Sequence, residues 1–153
     1  MKQSLRTIAL GTLIVGVLDI SEVMIFSALR GNKPLRILQG IASALLGKES
    51  FDGGVRTMLI GLAMHFGVAL GVVTVYYLAS RKITALVRHP LIFGPLYGIA
   101  VHFVMSQLIV PLTLIGPRPM PPWPVFANLM FAHIFCIGIP TALVSSRATP
   151  ASK

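Results

Sequence analysis

Four long apolar runs, bounded by basic residues or prolines, set the pattern of this chain. The first extends from Thr7 to Leu29, between Arg6 and Arg30, and the second from Thr57 to Ser80, between Arg56 and Arg81. A third extends from Leu91 to Ile115 and a fourth from Pro124 to Ser146, ending before Arg147. Crossing the roughly 30 Å of hydrocarbon in a bilayer takes about 20 apolar residues in a helix. Each run is therefore long enough to span with some tilt. Within the third, Pro111 has no N–H for the helix ladder and is expected to fray or kink the last turns. Met1 to Arg6 has the basic character of a signal-peptide start, but the run behind it is too long, Asp19 and Glu22 interrupt it, and no small-x-small cleavage site follows. It reads as a retained helix.

A shorter pattern fills residues 34–47. Leu35, Leu38, Ile41, Ala42, Leu45 and Leu46 recur at helical spacing, and Arg36, Gln39 and Ser43 face elsewhere. Pro34 suits a first helical position and Gly47 a C-terminal stop. Such a helix reaches only about 20 Å, too short to cross. It is expected to lie in the interface plane or to dip in as a re-entrant segment, with Arg30, Lys33 and Arg36 placed to touch anionic lipid headgroups. The connector from Arg81 to Pro90 is short and basic. The one from Gly116 to Pro124 holds Pro117, Pro119, Pro121, Pro122 and Pro124, a stiff extended strap with Trp123 as an interfacial anchor. Residues 148–153 are expected to form a disordered tail, which leaves 1–147 as one membrane domain.

Composition agrees with this pattern. Of 153 residues, 55% are hydrophobic and 11% charged, against roughly 25% charged in an average soluble domain. That balance excludes a soluble enzyme and a disordered chain. The net charge of +9 would suggest nucleic acid in a soluble protein. Here the cations flank the apolar runs, as in membrane-protein loops, and neither a Gly-rich phosphate loop nor a basic helix with interleaved aromatics is present. With four spans, Lys2, Arg6, Arg81, Lys82, Arg88, Arg147 and Lys153 share one side. Arg30, Lys33, Arg36, Lys48, Arg56 and Arg118 share the other. Seven cations against six favour both termini in the cytoplasm. The one cysteine, Cys136, lies within the fourth run and rules out an intramolecular disulfide.

Candidate chemistry comes from ionisable residues inside the runs, where they are rare and expensive. The first run holds Asp19 and Glu22, the second His65, the third His102 and the fourth His133. At about 1.5 Å per residue, all five fall in one layer near mid-depth. Asp19 and Glu22 share a helix face, as do His133 and Cys136. Gly94, Gly98, His102 and Ser106 form a stripe of period four on the third run, and Gly61 and His65, with Tyr76 further along, share a side of the second. Ala63, Gly67 and Gly71 form a further small stripe there. Gly67, Gly71, Gly94 and Gly98 are expected to permit close helix packing.

Two carboxylates and three imidazoles suit a borderline divalent metal such as zinc or iron, with Asp19, Glu22, His65 and His133 as ligands. The di-iron signature of Glu-x-x-His on two helices is absent. A bis-histidine haem fits less well, because carboxylates stand at its height. A proton relay uses the same residue types without ligand geometry. The opposing reading is a buried network that only fixes helix register.

Several segments carry a resemblance. They are Asp19 through Gly47, with Leu29-Arg30-Gly31, Pro34-Leu35-Arg36 and Leu38-Gln39-Gly40-Ile41-Ala42-Ser43, then Phe51-Asp52-Gly53-Gly54, His65-Phe66, Tyr76-Tyr77-Leu78-Ala79-Ser80-Arg81, Val110-Pro111-Leu112 and Ala132-His133. Together they resemble a family of small bacterial inner-membrane proteins of four spans with no assigned activity. The resemblance implies a bacterial inner-membrane location and no reaction. The expected protein is therefore an all-α four-span bundle with a mid-membrane polar site that binds a cation or relays protons, as a small transporter-like or sensor subunit. The alternative is a non-catalytic accessory or lipid-contacting protein with a structural polar layer. Its partners would be membrane lipids and either a second copy or another membrane subunit. An enzyme is disfavoured, because no nucleophile, base and orienting group stand together.

Overall fold

Large apolar side chains cover the outside of the helices. Leu10, Leu13, Leu59, Val75, Leu91, Leu96 and Phe135 are all exposed, an arrangement stable only against lipid. The computed structural model describes residues 2–148. Helices α1 (Lys2–Leu29), α3 (Gly54–Ser80), α5 (Pro90–Leu112) and α6 (Trp123–Ala148) are each long and apolar enough to cross a membrane. The shorter α2 (Arg36–Leu46) lies between α1 and α3, and α4 (Ala85–Arg88) between α3 and α5. No strand occurs among the described residues. Every expected span is present, with ends shifted by a few residues. Ala148 closes α6, and 149–153, the rest of the expected tail, lie outside the described residues.

Small residues bring the helices close. A Cβ on Gly98 would meet the His133 carbonyl, and one on Gly138 would meet the Gly94 carbonyl. Helices α5 and α6 thus touch backbone to backbone. Gly16 of α1 lies against the Phe66 ring of α3. Val15, Ala69, Val73 and Ile137 form the apolar core where α1, α3 and α6 meet. The expectation for Gly94 and Gly98 holds. Gly67 and Gly71 are a correction: both are exposed, and a Cβ on either would meet nothing within 4 Å. The Ala63–Gly67–Gly71 stripe points away from the other helices, because α3 turns its Gly61–His65–Tyr76 side inward.

The α helix gives way to π geometry twice, over Met105–Ile109 in α5 and over Ala132–Gly138 in α6. In α5 the cause is Pro111. It removes an N–H and its ring crowds the carbonyl four residues back, so the last turns widen and then tighten to 3₁₀ over Val110–Leu112.

Helix α2 departs from its expected orientation. It buries Leu38, Gln39, Ala42 and Ser43 and leaves Leu35 and Leu45 exposed. It packs on α3, where the Leu38 carbonyl and the Ala42 nitrogen fill the place of a Gly61 side chain. The polar Gln39 and Ser43 turn inward because each has a carbonyl there: Gln39 donates to Phe51 (3.3 Å) and Ser43 to Gly40 (2.6 Å). The helix starts at Arg36, after a turn through Pro34, and stops at Gly47, whose φ of 66° suits glycine. On the same side, the Leu114 N–H donates to Ala44 (3.1 Å) and ties the strap after α5 to α2.

Candidate functional site

Each of the four spans carries a titratable side chain to mid-depth. At 1.5 Å per residue, Asp19 lies about 5 Å from the midpoint of its helix, His65 about 3 Å, His102 about 1.5 Å and His133 about 4 Å. All four are displaced toward the side that carries α2. Glu22 lies one turn further out.

His65 sits on the buried side of α3 and donates its Nε2–H to the Gly16 carbonyl of α1 at 2.9 Å. This contact needs the close approach that Gly16 permits. It also fixes the ring, so that Nδ1 faces the Asp19 Oδ2 at 4.0 Å. With Nε2 carrying a hydrogen, a neutral ring would turn a bare lone pair toward a carboxylate. The two groups form an ion pair only when the ring is protonated. At 4.0 Å the two atoms stand beyond direct hydrogen-bond reach.

His133 lies in the π segment of α6 and donates Nδ1–H to the Leu129 carbonyl, one turn back, at 2.8 Å. A side chain inserted into the main-chain ladder is a recognised cause of local helix distortion, and here the two coincide. Its Nε2 is left for another partner. The His102 ring stands edge-on to His133, with centroids 4.9 Å apart and planes at 84°. Phe103 and Phe126 enclose His102 further. Asp19 pairs with His65 at 4.0 Å, and no nitrogen of His133 comes within 4.0 Å of its carboxylate. Cys136, buried on the same turn of α6, feels the charge of Asp19 and Glu22.

Glu22 turns aside. Its Oε2 accepts a hydrogen bond from Asn128 Nδ2 of α6 at 3.3 Å. This separates it from the imidazoles and bears on the metal reading. Among the described residues, no group of three or more His, Cys, Asp or Glu side chains could hold a metal ion. Asp19, Glu22, His65 and His133 share a depth but do not converge on a point, because each histidine has one nitrogen on a carbonyl and Glu22 is bound to Asn128.

Sequence reasoning passed over Asn128, Gly16 and Gly138. Asn128 had a signal: it is the amide of the fourth apolar run, and a carboxylate such as Glu22 needs a donor there. Gly16 acts through its carbonyl, which no residue type announces. Searches against family models, curated proteins and solved structures find no match to this chain.

Proposed function

We propose that this chain is a multi-pass protein of the bacterial inner membrane, termini cytoplasmic, whose mid-depth Asp19–His65–His133–His102 cluster takes up and passes protons, as a small transporter-like or sensor subunit. One observation carries the reading. Asp19 of α1 faces the His65 imidazole of α3 at 4.0 Å, and His102 and His133 stand ring to ring on α5 and α6 near the same depth. Transfer between Asp19 and His65 needs the two side chains to close from 4.0 Å or a water to bridge them. Relay by such residues is a common use of ionisable groups inside membranes. A cation held by several side chains is less well supported, since the ligands do not converge.

The test is proton uptake by liposomes that contain the purified protein and a trapped pH-sensitive dye. The wild type is expected to admit protons faster than empty liposomes under an imposed potential. Asp19→Asn and His65→Gln should abolish the difference while the protein stays folded. A wild type indistinguishable from empty liposomes would overturn the proposal.

A second reading has its own observation. His65 and His133 each bond a main-chain carbonyl, which suits a network that fixes helix register in an accessory or lipid-contacting protein. In that case Asp19→Asn and His65→Gln should chiefly lower stability. The double variant should then depart from additivity by about 0.5–3 kcal/mol.

A further inference from the structure

Where α1 ends and α2 begins, Lys33 and Arg36 line a hollow, with Arg30 at the end of α1 beside it in sequence. Ser27, Gly31, Asn32, Lys33, Arg36 and Ile37 line a concavity of about 410 Å³. A second, of about 540 Å³, adjoins it, shares Lys33 and Arg36, and extends over Leu35, Gln39 and Met58. Among the described residues, no carboxylate lies within 4.0 Å of Arg30, Lys33 or Arg36. The two guanidinium groups rest on aromatic rings instead, Arg30 5.6 Å from the centre of Phe26 and Arg36 5.5 Å from that of Phe51. Contact through a ring face positions the fork and leaves its N–H donors unspent.

From this arrangement we infer a binding site for the phosphate headgroup of an anionic phospholipid. Three features select a lipid over a soluble phosphate. The hollow lies at the end of a membrane span, at headgroup level. Leu29 and Leu35, 82% and 55% exposed, flank it where acyl chains would descend. The second concavity continues from the cations onto the apolar Leu35 and Met58, so one molecule can place its phosphate against Lys33 and Arg36 and its chain along α2. Asn32 supplies an uncharged polar group beside the headgroup. The site does not depend on the proton reading, since it shares no residue with it.

The experiment follows thermal unfolding of the full chain in a neutral detergent during titration with short-chain phosphatidylglycerol, phosphatidylcholine of the same chain length, or inorganic phosphate. Phosphatidylglycerol is expected to raise the midpoint saturably, and the other two are not. The variant K33Q/R36Q should unfold close to the wild-type midpoint without lipid, lowered only by loss of the Arg36–Phe51 contact. Two exposed cations, each contributing a similar electrostatic attraction, imply about 30-fold weaker phosphatidylglycerol binding in that variant, and K33R, which keeps both charges and the Arg36–Phe51 contact, should bind as the wild type does. An equal shift from phosphatidylcholine, or an undiminished response in K33Q/R36Q, would overturn the site. An equal shift from inorganic phosphate would replace it with a soluble-anion site. If K33Q/R36Q fails to fold, the wild type alone decides: phosphatidylglycerol binding that does not weaken as salt is raised contradicts the inference.

Discussion

Glycines of this chain with similar sequence surroundings have opposite roles, and only neighbouring backbone tells them apart. A methyl group on Gly98 would collide with the main chain of His133 and Ile134, which cannot swing aside as a side chain can. Gly98→Ala should therefore destabilise the protein by about 1–3 kcal/mol, the usual cost of overpacking. Gly67→Ala meets open space and should be neutral or stabilising by up to about 1 kcal/mol through helix propensity. Unfolding midpoints of the two variants in one detergent check this, and equal midpoints would contradict the packing. At Glu22 the relevant neighbour is an amide. Asn128→Leu removes the donor on Oε2 and strands a partly buried acceptor. It should lower stability by about 1–3 kcal/mol, and Glu22→Gln in the same background should recover part of that, as measured by denaturant or thermal unfolding. No loss in Asn128→Leu would mean that Glu22 is served by solvent.

At the scale of elements, the four spans were legible because length and hydropathy alone define them, and chain ends matter little to either. The site was legible in its membership and its depth, since Asp19, His65, His102 and His133 break apolar runs and helical rise fixes their height. Its connections were not. Whether Asp19 faces His65 depends on helix rotation and on the approach of the Gly16 carbonyl, and neither leaves a mark on side-chain type. The π segment around His133 had a signal that was passed over: Pro140 stands two residues beyond Ala132–Gly138 and crowds the Cys136 carbonyl within it, as Pro111 does for the segment in α5. Helix α2 shows the limit of periodicity. Its apolar stripe suggested an interfacial or re-entrant helix with Gln39 and Ser43 turned from the apolar face, yet both are buried, and the close approach is set by Gly61, on another helix. Gly61→Val would place a branched side chain against the Leu38 carbonyl and should detach α2 from α3. Protease cleavage within Gly47–Gly54 should become faster by tenfold or more if the substitution weakens docking of α2 by about 1.4 kcal/mol or more. Unchanged cleavage would show that α2 is held by other contacts.

At the scale of the whole molecule, the even number of spans puts Arg81–Pro90 and both chain ends on one side of the membrane. Reporter fusions after Lys153 and within Ile83–Arg88 should both read as cytoplasmic, and one within Gly116–Pro122 as periplasmic, as the seven-to-six distribution of cations favours. A reversed set would keep the span count and invert the orientation. The glycine contacts between α5 and α6 have a mechanical consequence. Backbone pressed on backbone makes those two spans a single stiff hairpin, with His102 and His133 fixed on it. Spans α1 and α3 form a second hairpin, fastened at Gly16, with Asp19 and His65 fixed on that one. Between the hairpins run the apolar core of Val15, Ala69, Val73 and Ile137 and the hydrogen bonds from Tyr97 to Val72 and from Asn128 to Glu22. A seam filled by packed side chains resists sliding, so the separation of Asp19 from His133 is set by the residues that fill it, as a spacer sets the gap between two plates.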